Sequence, residues 1–132
     1  MGDIKDYLKS YRRTLKAAEQ YLRDLDALTY IQSPKMDGMP RNSSIHGLEL
    51  QVAQRERLQK RAEKERQRAF EICDDIERRI DAIEDATLRV ILQRRYIDGY
   101  EWMEVAESVG YSRESVFRLH RKALNELRRD WP

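Results

Sequence analysis

Residues 95–128 read RYIDGYEWMEVAESVGYSRESVFRLHRKALNELR. Ile97-Asp98-Gly99-Tyr100 marks a turn, because an Asp-Gly pair tolerates conformations that interrupt a helix. Glu101–Val109 then reads as a short helix with Trp102, Val105, Ala106 and Val109 apolar. Gly110 closes it, since a glycine just past a helix takes the left-handed conformation at no steric cost. Ser112 is placed to cap the next helix, with Ser115 at its third position and Glu114 favoured by the positive end of the helix dipole. That helix runs to about Arg129 and keeps Val116, Leu119, Ala123, Leu124 and Leu127 on one side. A short apolar helix over Ala86–Tyr96, with Leu88, Ile91, Leu92 and Tyr96 facing inward, precedes the pair. The whole is the sequence shape of a helix-turn-helix, in which the last helix is free to enter a groove of double-stranded DNA.

The charge distribution agrees with that shape. The chain of 132 residues has 26 basic and 24 acidic side chains, a net charge of +2 that implies nothing by itself. Residues 1–85 hold 17 of each sign and are neutral. Residues 96–107 carry Asp98, Glu101, Glu104 and Glu107 and no base. Residues 112–129 carry six bases against Glu114 and Glu126, a local +4. Such an acidic stretch beside a compact basic one is the asymmetry expected of a binding surface.

The outward face of the last helix falls on Arg113, Glu114, Phe117, Arg118, Arg121, Lys122 and Asn125. Arginine bonds guanine bidentately and glutamate accepts from cytosine, so Arg113, Glu114, Phe117 and Arg118 are placed as candidates near bases. Ser112, Ser115, Arg121 and Lys122 are candidates for phosphate, helped by free amides at the helix start. A plain three-helix bundle with a solvated basic face is the alternative.

The stretch resembles region 4, the promoter-reading end of sigma-70-type factors. The resemblance rests on Arg95-Tyr96 with Asp98-Gly99, on Trp102-Met103-Glu104-Val105-Ala106 and Gly110, on Ser112-Arg113-Glu114-Ser115-Val116, and on Lys122-Ala123-Leu124 with Leu127-Arg128. It implies that Arg113, Glu114, Arg118 and Lys122 contact a promoter. No domain of the promoter-melting kind is found upstream, so a complete sigma factor is not expected. The full layout is also similar to the ArpU-type regulators of late phage genes in Gram-positive bacteria. That wider resemblance implies a transcriptional activator encoded by a phage or prophage.

Upstream, Ile4, Leu8, Tyr11, Leu15, Ala18, Leu22, Leu25 and Thr29 step by fours and threes, a heptad seam on one helix over residues 3–31 with Asp3 as N-cap. Residues 33–44, SPKMDGMPRNSS, form a loop that Pro34 opens and Asp37-Gly38 turns, with Ser43 or Ser44 available to cap the second helix. Residues 45–84 read as one long helix of roughly 60 Å at about 1.5 Å per residue. Its seam is clearest as Ala62, Ala69, Cys73, Ile76, Ile80 and Ile83. Such a helix must pair with the first one, with a second copy of itself, or with both. The fold expected is therefore all-α: residues 1–85 as a helical hairpin or coiled coil and oligomerisation region, and residues 86–132 as the helix-turn-helix domain.

Other features have plain readings. Arg57, Arg61, Lys64 and Arg68 form a basic stripe on the long helix, with Arg55, Lys60 and Arg66 beside it. Interleaved with Glu56, Glu63 and Glu65, it reads as a solvated face. His120 is expected on the surface, and Tyr7, Tyr11, Tyr21, Trp102 and Trp131 as packing residues. Cys73, a lone cysteine far in sequence from His46 and His120, is expected to be a small hydrophobe in a reducing cytoplasm. Asp74-Asp75 and Glu84-Asp85 lack His or Cys partners, so no metal site, cofactor or catalytic group is expected. No apolar run nears the roughly 20 residues of a membrane span, and the N-terminus has no signal-peptide core. A DNA-binding, homo-oligomeric transcriptional regulator is the leading expectation, with RNA polymerase as a further candidate partner. The rivals are a helical adaptor that binds polymerase or a sigma factor without DNA, and the small subunit of a phage DNA-packaging machine.

Overall fold

A computed structural model describes residues 3–31 and 41–131, with side chains described for 3–28 and 47–131. Its order is α1 (Ile4–Ile31), α2 (Arg41–Asp81), α3 (Ala86–Leu92), α4 (Trp102–Val109) and α5 (Arg113–Arg129). The fold is all-helical, long helices followed by a three-helix C-terminal array, as the periodicity predicts. The predicted loop lies outside the described residues for positions 33–40, Pro34 and Asp37-Gly38 included. Ser43 and Ser44 are not caps: α2 already begins at Arg41, so both lie inside its first turn.

Packing divides the chain differently from its connectivity. One compact unit joins residues 3–13 to 69–131, and the other is Thr14–Arg68. In the first, the Tyr7 hydroxyl donates to Asp75 at 2.5 Å, and Tyr11 lies beside Cys73. Advancing along α1 thus means retreating along α2, so the two helix ends run antiparallel. Ile4 and Leu8 of α1 and Ile76 and Ile80 of α2 enter one core with Leu88, Leu92 and Tyr96 of α3 and its extension and Ala123, Leu124 and Leu127 of α5. Leu8, Ile76, Ile80 and Leu92 are completely buried. Each such side chain removed from water stabilises the fold by roughly 2 kcal/mol. In the second unit Ala18 and Ala62 are buried, with Leu15, Leu22, Leu25 and Leu58 half-buried.

Asp85 starts α3 by accepting from the backbone N–H groups of Thr87 and Leu88, at 2.9 and 3.4 Å. This gives one member of the Glu84-Asp85 pair a structural task as an N-cap. The helix does not run unbroken to Tyr96. Over Gln93–Ile97 it widens into a π-turn, where Asp98 N–H reaches the Gln93 carbonyl five residues back at 2.9 Å. Gly99 then turns the chain with φ +76°. The positive φ favours glycine there; the nearby Arg12 guanidinium is the end of a flexible side chain that could move aside.

Candidate nucleic-acid interface

The helix pair α4 and α5 is held by a second core of Ile91, Val105, Ala106 and Val116, with Val109 and Leu119 packed at its margin. Ala106 is the small residue that lets the helices cross closely. Glu101 and Glu104 form a capping box at the start of α4, with Glu104 accepting from Glu101 N–H at 3.0 Å. Gly110 ends α4 in the left-handed conformation, φ +75°, and its N–H bonds the Ala106 carbonyl at 2.9 Å. Ser112 caps α5 as its position predicts: its Oγ accepts from Ser115 N–H at 3.2 Å and donates to Ser115 Oγ at 3.0 Å.

The sequence-assigned residues separate into two groups. Ser112, Arg113, Glu114, Arg118, Arg121 and Lys122 are exposed along α5 and its cap. Ser115 and Phe117 are half-buried. The Phe117 ring packs edge-on against Trp102 at 5.2 Å between centroids, and the Arg113 guanidinium lies 5.8 Å from the Phe117 ring.

The cations of the C-terminal helices differ in how they are held. Arg89 donates to the carbonyls of Ile83 and Glu84, Arg94 pairs with Asp98 at 2.9 Å, and Arg95 donates to the Tyr100 carbonyl at 2.9 Å. At the end of α5, Arg128 bonds Asn125 at 3.1 Å and lies 3.8 Å from Asp3, and Arg129 pairs with Glu126 at 3.5 Å. Among the described residues, Arg118, Arg121 and Lys122 make no hydrogen bond or ion pair. A cation with no carboxylate to release can be matched to a phosphate or a base edge without breaking an existing bond.

The chain from residue 85 to residue 129 matches the model of the family described as Sigma-70, region 4. The C-terminal unit is a region-4-like, DNA-binding helix-turn-helix. The match spans 45 of the 132 residues, from the Asp85 cap to the last residue of α5. No curated protein and no solved structure was found to match the chain. A DNA-binding helix-turn-helix of this kind is consistent with a role in transcription regulation.

Sequence reasoning misplaced His120. It is 5% exposed, not on the surface. A 2.7 Å hydrogen bond joins its Nε2 to Tyr96 Oη, and its ring meets Trp102 edge-on at 4.7 Å between centroids. Burial pushes its pKa down to about 4, assisted by the positive charges of Lys5, Arg95 and Arg121. Burial also lifts the Tyr96 phenol to about 12, so at neutral pH both partners are uncharged. The signal was present in the helical phase: Val116, His120, Ala123, Leu124 and Leu127 lie along the inner stripe at helical spacing.

The remaining candidates behave as packing residues. Trp131 meets Tyr7 edge-on at 5.3 Å, and the Arg79 guanidinium lies 4.1 Å from its ring. Cys73 is half-buried, and burial first, with Glu77 next, raises its thiol pKa. That disfavours the reactive thiolate. Among the described residues, no cluster of His, Cys, Asp and Glu suits a metal ion, and no helix is long and apolar enough to cross a membrane.

Proposed function

We propose that this chain is a non-enzymatic, sequence-specific transcriptional regulator, a late-gene activator of a phage or prophage, working as a dimer or higher oligomer. The reading rests on one observation above others: within a region-4-like helix-turn-helix, the exposed cations Arg118, Arg121 and Lys122 have no ion pair among the described residues. Arg113, Glu114 and Arg118 supply groups for base edges, and Ser112, Ser115, Arg121 and Lys122 supply groups for phosphates. The phage assignment is supported by the resemblance of the whole layout to ArpU-type regulators. Oligomerisation is supported by energetics, because one short helix-turn-helix binds modestly and paired half-sites multiply affinity. RNA polymerase is a natural further partner for an activator of this type.

Selection of bound duplexes from random DNA by the full chain tests the reading. One enriched motif is expected, with Arg118→Ala costing about 1–3 kcal/mol on that motif and relaxing preference at one position. Failure to enrich any motif, together with retention of a polymerase or terminase subunit, would favour an adaptor or packaging role.

A further inference from the structure

His120 lies on the inner side of α5, between the outward-facing Arg118 and Arg121, and ties that helix to two other elements. Its Nε2 meets Tyr96 Oη at 2.7 Å, and Tyr96 belongs to the π-turn of Gln93–Ile97. Its ring meets Trp102, the first residue of α4, at 4.7 Å. Trp102 is itself held by the Arg95 guanidinium, 4.5 Å from its ring. Arg95 is fixed in turn by the Tyr100 carbonyl. A π-turn inserts one residue into a helix and shifts the phase of the residues beyond it. Here that phase puts neighbours Arg95 and Tyr96 onto Trp102 and His120 respectively.

Apolar contacts alone allow a helix to roll and slide by small amounts, because dispersion is not directional. A buried hydrogen bond allows one arrangement and penalises the others, since an unpaired buried polar group is costly. A leucine at position 120 could fill the core without fixing the roll of α5. The polar histidine is thus suited to orientation as well as to packing.

We propose that His120 is a positioning residue for DNA recognition: by locking α5 to the π-turn through Tyr96 and to α4 through Trp102, it sets the angle at which Arg113, Glu114 and Arg118 meet base edges. It governs discrimination between sequences and leaves the phosphate-driven affinity for any duplex untouched. The proposal rests on the DNA-reading role of α5. Base contacts need placement within roughly half an ångström, whereas a phosphate contact made by a long flexible cation tolerates a small roll.

The test uses the full chain and two duplexes of equal length, the selected motif and a scrambled one, with wild type, His120→Gln and the Tyr96→Phe/His120→Leu double variant. The double variant removes both polar partners and so avoids an orphaned buried group, which keeps it folded by circular dichroism. For it the ratio of the two affinities should fall about tenfold, with affinity for the scrambled duplex and its salt dependence unchanged. His120→Gln, which can restore a bond to Tyr96, should recover most of the ratio. An unchanged ratio in the double variant, or a parallel fall on both duplexes, overturns the positioning role. A wild-type chain that binds both duplexes equally instead overturns the DNA-reading role of α5, and the proposal with it.

Discussion

The middle and the far end of α5 both carry bases and use them differently. At its far end, Arg128 and Arg129 are tied to Asn125, Asp3 and Glu126. In its middle, Arg118, Arg121 and Lys122 make no such bond among the described residues. A count of positive charge would treat the two stretches alike. The far end is engaged in weak, exposed pairs within the fold, while the middle can meet an external anion without breaking any pair. For a basic helix, what is available for recognition is the charge not already engaged within the fold.

The largest effect should come from removing the free cations. Arg118→Ala combined with Arg121→Ala should cost on the order of 3 kcal/mol of DNA affinity, roughly a hundredfold, measured by fluorescence anisotropy at fixed salt. Stability should barely move, which thermal unfolding would check. A loss below threefold would break the comparison.

The buried histidine gives the next effect. The folded pKa of His120 is about 4, below the value of 6.5 for the free side chain. The unfolded chain therefore binds the proton more readily, and stability rises with pH in that window. The contribution is complete above about 6.5 and is lost as pH falls towards 4. The charged groups that act on the imidazole, Lys5, Arg95 and Arg121, are cations and offer no compensation. Between pH 7 and pH 5 the loss from this group should be on the order of 1 kcal/mol, read from urea midpoints. It should vanish in the Tyr96→Phe/His120→Leu variant, whereas an identical pH slope would show that His120 binds its proton equally well in the folded and unfolded chain.

Ser112→Ala removes the cap at the recognition end of α5 and should cost about 1 kcal/mol of stability, measured by urea unfolding. The smallest effect belongs to the far end. Arg128→Ala with Arg129→Ala should change DNA affinity by less than about threefold, since these residues lie about 15 Å along α5 from Arg118. A loss matching that of the Arg118 and Arg121 pair would place the far end in the interface and erase the distinction.

Most of the C-terminal array was legible because its punctuation is chemical. Gly99 and Gly110 adopt the positive φ their turns require, Ser112 caps as serine does, and the inward sets of α3 and α4 follow a helical period. The outward cations of α5 came from the same period. What was not legible depends on contacts distant in sequence. The π-turn has no residue signature of its own, and it shows only in the backbone bond from Asp98 N–H to the Gln93 carbonyl. His120 was misread because a polar residue beside Arg121 and Lys122 suggests solvent, although its place in the stripe pointed inward. The start of α2 was misplaced because Ser43 and Ser44 suggest caps, while the helix begins before them. The junction of residues 3–13 with the C-terminal helices was equally hidden. Ile4 and Leu8 read as a coiled-coil seam, and nothing local reveals that Leu124 and Leu127 share their core.

The most direct measurement is the salt dependence of binding to the selected duplex, for wild type and for Arg121→Ala with Lys122→Ala. If these free cations neutralise phosphates, the slope of log K against log salt should become shallower by about 0.9 for each phosphate no longer neutralised. A steep wild-type slope that flattens in the variant is the result expected. Equal slopes would mean that the middle of α5 stands clear of the DNA, contradicting the central claim.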